Sequence, residues 1–162
     1  METQKQIIIF LSEFDYQVEQ IESIYGKLDK KVQAFKKKSV TSEAVESTGY
    51  WLHNLYCACE DLFKLVSGFW ENSLSVNGDF HVNLLKRMLL SIEKVRPPLI
   101  CETSYKLLNE LRGFRHVFRH AYSYGLDVER VGSLLQKYIN QKDTLMRDFS
   151  AFRKSVASYT KG

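Results

Sequence analysis

The chain has 162 residues, with 23 Lys and Arg against 19 Asp and Glu for a net charge of +4. That length suits one domain spanning residues 1–162 and can bury a core without disulfides or metals. A surplus of four charges excludes a bulk polyelectrolyte, so an anionic partner must be met by a local patch.

The N-terminal apolar run Ile7 to Leu11 is too brief to span a membrane and no signal-peptide cleavage site follows it. Cys57, Cys59 and Cys101 are odd in number, and a Cys-x-Cys pair on a helix turns its thiols to different faces. Reduced thiols in a soluble, cytoplasmic protein are expected.

Ile7, Leu11, Phe14, Val18, Ile21, Tyr25, Leu28, Val32 and Phe35 alternate by fours and threes, the stripe of a long packed helix. It closes on Lys36, Lys37 and Lys38, which suit the negative end of a helix dipole. With Lys27, Lys30 and Lys31 they form a basic region that reads as a solvated helix end, or alternatively as an attraction for an RNA backbone. A turn is expected over 39–42.

The same spacing returns in Thr48, Leu52, Leu55, Cys59, Leu62, Val66 and Phe69. Tyr50, Trp51, Tyr56, Phe63, Phe69 and Trp70 share this second helix at a spacing that fits core packing better than a ligand cage. Asn77-Gly78-Asp79 signals a turn, with Asp79 as the cap of a third helix carrying Leu84, Leu85, Met88, Leu89 and Ile92 that ends at Pro97-Pro98.

A fourth helix is expected from Glu102 to about His120, a break near Tyr124-Gly125, and a fifth helix capped by Asp127. The stripe of that last helix, Val128 to Val156, is interrupted only by Lys142. No segment alternates with period two, so the expected fold is an all-α bundle of about five helices.

At 100° per residue the fourth helix separates into two faces. Leu107, Leu111, Phe114, Val117, Phe118 and Ala121 take one, and Arg112, Arg115, His116, Arg119 and His120 take the other. Polar helix faces are usually solvated and their ion pairs weak. Here, however, no acid lies between Glu110 and Asp127, and aromatic rings interleave with the cations as they do where nucleotides bind. Arg115 and His120 lie about 140° apart on a regular helix. Either the helix bends before Tyr122, or the two groups meet a ligand as wide as a phosphodiester. His116 and His120 also have the i,i+4 spacing of two zinc ligands, with His53 and His81 as further donors, but two ligands are not a site.

Arg115-His-Val-Phe-Arg-His120-Ala-Tyr122 resembles the Arg-x4-His-x-Tyr motif of the HepT-like toxins, a branch of the HEPN ribonuclease superfamily. His116 meets the family's preference for Asn, Asp or His after the arginine. The segments DFHVNLLKRM and RPPLI are similar to those of longer members, so the resemblance covers most of the chain.

The resemblance implies a HEPN-like fold and a metal-independent ribonuclease without a cofactor. In it Arg115 and His120 are catalytic and His116 orients or binds phosphate. Arg112 and Arg119 then read as RNA-positioning groups. An imidazole exchanges protons near neutral pH, and an arginine fork binds phosphate oxygens. The resemblance also implies a homodimer that joins two motifs along one cleft, and a nucleotidyltransferase antitoxin of the MNT type that transfers AMP to Tyr122. The alternatives are a non-catalytic helical module that partners a nucleotidyltransferase, and a structural adaptor.

Overall fold

The computed structural model describes residues 2–72 and 78–161, and the backbone alone at 123 and 124. Six α-helices follow one another: α1 (Glu2–Phe35), α2 (Ser42–Trp70), α3 (Phe80–Arg87), α4 (Glu102–Arg119), α5 (Ala121–Tyr124) and α6 (Val128–Ser158). The fold is an all-α bundle. The helix expected last is α6, and α5 is a single turn between it and α4.

The periodic stripes are the buried ones. In α1, Ile7, Leu11, Phe14, Ile21, Tyr25 and Leu28 are buried together with Phe10, while Val18, Val32 and Phe35 pack against the core in part. Thr41 caps α2 by accepting from the Ala44 N–H at 3.1 Å, and Asp127 caps α6 by accepting from the Glu129 N–H at 3.0 Å. Helix α2 packs against α1, α3, α4 and α6 and is the central element. Of its aromatic residues, Tyr56 and Phe63 are core, whereas Tyr50 is 48% exposed.

Polar pairs fix how α1 and α6 run against each other. Arg153 donates to both carboxylate oxygens of Asp15 at 2.9 and 2.8 Å, and Lys142 reaches both oxygens of Asp29 at 3.0 Å. Tyr138 donates to the same Asp29 at 2.9 Å, and Tyr25 donates to the Lys142 carbonyl at 2.9 Å. Low positions of α1 meet high positions of α6, so the helices are antiparallel. Lys142 therefore does not break the apolar stripe by accident. It is the cation that ties α6 to α1.

The third helix is shorter than the sequence implies. It ends at Arg87, and Met88, Leu89 and Leu90 continue as turns bonded three residues back. The chain then doubles back through an Ile92 to Arg96 bridge, with Lys94 in the left-handed region at φ 63°. Pro97 and Pro98 belong to the returning arm. The cause is Arg96, whose side chain is fully buried. It donates to Glu71 at 2.8 and 3.2 Å and to the carbonyls of Arg87, Leu90 and Pro97 at 3.0 to 3.1 Å. A helix running on to residue 92 would leave this guanidinium without those carbonyls.

Asp79 holds the N-cap position of α3, but with φ −101° and ψ 17° its carboxylate makes no cap bond. Its carbonyl instead accepts from the Asn83 N–H at 2.9 Å. Asn77, the first residue of the expected turn, lies outside the described residues.

Removing one partner of a buried, hydrogen-bonded ion pair costs about 3–5 kcal/mol, because the other charge stays buried and uncompensated. Glu71 keeps its 3.0 Å pair to the partly exposed Arg87, so Arg96→Met should lower the unfolding free energy by less than that, about 1–3 kcal/mol in urea titrations. Lys64→Met, which loosens longer pairs to Glu60 and Asp61 at 3.8 and 4.0 Å and a contact over the Phe80 ring at 5.6 Å, should change it by about 1 kcal/mol or less.

Candidate nucleic-acid interface

The two faces of α4 are separated as the sequence implies, though less cleanly. Leu107, Leu108, Leu111 and Phe114 are buried, and Val117 and Phe118 only partly so. On the other side His116, Arg119 and His120 are exposed, whereas Arg112 and Arg115 are half-buried. Arg112 donates through Nε and Nη2 to Asn109 Oδ1 at 3.2 and 3.0 Å. The rings of His116 and His120 are stacked in a tilted pair, 4.4 Å between centroids.

The helix does not pass smoothly from Arg115 to Tyr122. It closes at Arg119, and His120 leaves helical geometry with φ −105° and ψ 7°. The His120 N–H is shared between the carbonyls of His116 and Val117, each at 3.3 Å. One further turn, α5, follows before Gly125, whose φ of 73° reverses the chain and whose N–H donates to the Ala121 carbonyl at 2.6 Å. The first alternative from the sequence is thus the one observed: the break falls at His120, before Tyr122. Tyr122 rides on the single turn of α5 and is 87% exposed.

Among the described residues Arg112, Arg115 and Arg119 form no ion pair within 4.0 Å, and the nearest acid in sequence, Glu110, is taken by Lys137 at 2.6 Å. His116 and Arg119 stand in the last turn of α4, where the negative end of the dipole favours a cation such as the Arg119 guanidinium. Arg112 and Arg115 precede that turn. Their charge is neutralised only in small part by the helix and remains available to an anion.

The structure adds a second helix to the site. His53, Cys57, Glu60 and Lys64 are spaced by four, three and four along α2 and line one face of it. The His53 ring stacks on Phe118, 4.9 Å between centroids and 22° between planes. His53 Nε2 is 3.6 Å from Cys57 Sγ, and its Nδ1 is buried without a hydrogen-bond partner. Burial lowers the pKa of His53, and the nearby charges of Arg115 and Arg119 lower it further. Burial likewise pushes the Cys57 thiol up, against the pull of Arg115. The Tyr56 hydroxyl is also raised by burial, with Glu60 adding and Arg112 opposing.

Further along the strip Glu60, itself buried, is paired with His81 Nδ1 at 2.7 Å. That contact takes His81 away from His116 and His120, and among the described residues no three His, Cys, Asp or Glu side chains are grouped to hold a metal ion. Sequence reading had placed His53 only as a distant zinc donor. The signal for its place was the strip His53, Cys57, Glu60 and Lys64 recurring at helical spacing beside the apolar stripe of α2.

The lysine-rich region shares this end of the bundle. Lys27 Nζ lies over the Trp51 ring at 5.8 Å, and a side chain at Gly132 would meet Phe35 at 3.3 Å. Those contacts bring the end of α1 to the start of α2 and of α6, beside the end of α4. Lys36, Lys37 and Lys38 are exposed there. All three cysteines are free, and among the described residues no helix is long and apolar enough to cross a membrane.

The bundle thus presents a cationic, acid-free helix end with an exposed tyrosine on the next turn. The family model for HepT-like proteins matches residues 47–156, about two thirds of the chain, and the chain belongs to that family. The matched span includes most of α2, all of α3, α4 and α5 and nearly all of α6, hence both strips of the site, while α1 lies wholly outside it. No curated protein and no solved structure matches the chain.

Because the pKa of His53 is lower in the folded chain than its ordinary value of 6.5, the unfolded state takes up the proton more readily. The stability this residue supports is complete above 6.5 and is lost as the pH falls through 6.5 toward the folded value. Melting curves at about pH 7.5 and about pH 5.5 should show a smaller loss for His53→Asn than for the wild type. Equal losses would show that the imidazole titrates as it does in the unfolded chain.

Proposed function

We propose that the protein is a toxin-type, metal-independent endoribonuclease, with Arg115 and His120 as its catalytic residues. The observation that carries this reading is the Arg115-x4-His120-x-Tyr122 pattern, set within the HepT-like match where α4 breaks at His120. His120 takes the proton of an RNA 2′-hydroxyl as that oxygen attacks the adjacent phosphorus, and the 5′-oxygen of the next nucleotide leaves. The Arg115 fork holds the negative charge that accumulates on the phosphoryl oxygens. His116, paired with the His120 ring, orients it or adds a phosphate contact. Arg112 and Arg119 position the strand on either side.

A homodimer would join two such motifs along one cleft. Tyr122 is the proposed site of control: a nucleotidyltransferase antitoxin of the MNT type attaches AMP to its hydroxyl. The high exposure of Tyr122 supports access by such an enzyme. The attached phosphodiester places negative charge beside Arg119 and competes with RNA phosphate, by the electrostatics that make phosphorylation a switch.

Purified wild-type protein should cut a short single-stranded RNA in the presence of a chelator. Arg115→Ala should cut at least about 100-fold more slowly, as for loss of an oxyanion-stabilising donor, and His120→Ala about 100-fold or more. Arg112→Ala and Arg119→Ala should chiefly weaken binding, each lowering the slope of log affinity against log salt by about 1. RNA binding without cleavage in the wild type would instead favour the non-catalytic module that partners a nucleotidyltransferase.

Tyr122→Phe should remain active and should escape silencing when the cognate nucleotidyltransferase and ATP are supplied. Mass spectrometry of the silenced wild type should find the added nucleotide on Tyr122. A Tyr122→Phe protein silenced as fully as the wild type would remove this residue from the control mechanism.

A further inference from the structure

We propose that the outer groove between α1 and α2 is a docking site for a basic amphipathic helix of a partner protein. The inference does not rest on the ribonuclease reading. Other residues build the groove, and α1, which forms one of its walls, lies wholly outside the HepT-like match.

The groove arises because two long helices pack side by side and turn their core stripes inward. Gln17 Nε2 donates to the Ala58 carbonyl at 2.9 Å, and the Phe10 ring stacks on Phe69, 4.5 Å between centroids. Low positions of α1 therefore meet high positions of α2, and the pair is antiparallel. Between them lies a trough of about 550 Å³, lined by Ser12, Glu13, Tyr16 and Gln17 of α1 and by Asp61 and Leu65 of α2. At 100° per residue, Asp61 and Leu65 stand roughly a third of a turn round α2 from the strip of His53, Cys57, Glu60 and Lys64. The trough and the cationic face of α4 thus belong to different sides of the bundle.

Apolar groups continue the trough along both walls. Ile9 precedes Glu13 by four residues and Tyr16 by seven, and Phe69 follows Leu65 by four. Ile9 is 49% exposed, Tyr16 63% and Phe69 36%. Single exposed apolar residues need no explanation, but three that follow one groove at helical spacing form a patch of the kind that marks an interaction site. Tyr and Phe are also enriched where proteins meet.

The shape selects the class of occupant. Ile9 to Tyr16 spans about 10 Å, or two helical turns. A partner helix laid along it presents apolar anchors at i, i+3 or i+4, and i+7. An extended segment would find no strand edge on α1 or α2 to join.

Charge selects its chemistry. Glu13 and Asp61 stand on opposite walls, and no basic residue lines the trough. Among the described residues Glu13 has no cation within 4.0 Å. Asp61 has Lys64 at 4.0 Å, but that ammonium is nearer to Glu60 at 3.8 Å and lies over the Phe80 ring at 5.6 Å. On a chain of net charge +4 the groove is therefore locally negative. It attracts Lys and Arg flanking the apolar stripe of a partner helix, and it repels RNA and anionic lipid. A second copy of this chain fits poorly, because a two-fold contact through this face brings like carboxylates together.

The test uses two fluorescein-labelled synthetic helices about 18 residues long. One carries leucines at i, i+4 and i+7 flanked by lysines, and the other has glutamates in place of the lysines. Fluorescence anisotropy with the full chain should show binding of the basic peptide and none of the acidic one. Glu13→Lys with Asp61→Lys should weaken the basic peptide at least about tenfold and admit the acidic one. Tyr16→Ser should weaken the basic peptide at least about fivefold. All three positions are exposed or half-buried at the surface, so these variants should melt close to the wild type.

Glu46→Lys with Glu93→Lys makes the same change of charge at exposed positions outside the groove and should leave the affinity within about twofold. No binding of the basic peptide at about 1 mM, or an equal loss in this control, overturns the proposal. Sedimentation of the wild type as a dimer that Tyr16→Ser converts to a monomer overturns it in favour of a second copy on this face.

Discussion

The close approach of α2 to α4 governs the rest of the molecule. At Gly49 there is no room for even a methyl group: a Cβ there would lie 2.6 Å from Leu126 Cδ1 and 3.5 Å from the Phe114 ring. The bare backbone of α2 lets Phe114 and Phe118 pack down against it, and one turn later His53 stacks on Phe118. Two polar strips that a wider spacing would leave apart are thereby brought face to face. Leu126, the other group against Gly49, belongs to the segment that links α5 to α6, so the same contact also bears on where the turn carrying Tyr122 is held. A substituent at Gly49 would first push the flexible end of Leu126, and its cost would appear as a shifted linker rather than as a broken core.

A cationic face without acids is an electrostatic burden on the fold, and its cost is met elsewhere. The α1 and α6 pairs, Asp15 with Arg153 and Asp29 with Lys142, are partly exposed and individually worth little. Their value lies in geometry, since both are two-pronged and together set the register of the two longest helices. The Arg96 cluster is different in kind. A buried guanidinium satisfied by a carboxylate and three carbonyls contributes less than its number of bonds suggests, because desolvation offsets much of the attraction. It does specify one path for residues 88–100, because any other path leaves a charge unpaired in the core. That path holds Met88, Leu99 and Ile100 buried and closes the lower side of α4.

Long helices were legible because 3.6-residue periodicity is a local property. The stripes of α1, α2 and α6 follow directly from it, and the Asp127 cap follows from residue type just ahead of such a stripe. The end of α3 was not legible, since Arg87 and Leu90 yield their carbonyls to Arg96, and Glu71 lies 25 positions away from it in sequence. Lys142 looked like a defect until Asp29 stood opposite it. The candidate site divides in the same way. Arg112, Arg115, His116, Arg119, His120 and Tyr122 are contiguous and could be read as a motif with a face. His53 belongs to the site only through tertiary packing, and its sole local sign was a polar residue recurring at helical spacing on α2.

The proposed control by Tyr122 depends on an exposed position next to the cationic end of α4. His53 lies on the inner side, stacked on Phe118, where burial and the two arginines lower its pKa. Tyr122 stands outside, on a turn secured by Gly125 and the short Gly125 to Ala121 bond. A negative group attached there meets the arginines from the solvent side, the direction from which RNA must arrive. An anion on the inner side would neutralise the site permanently, and one farther out would be screened over about 8–10 Å of salt solution. The break at His120 ends the regular spiral of α4 and begins the single turn that carries Tyr122, so the motif's imidazole and its tyrosine belong to two segments that can be displaced independently.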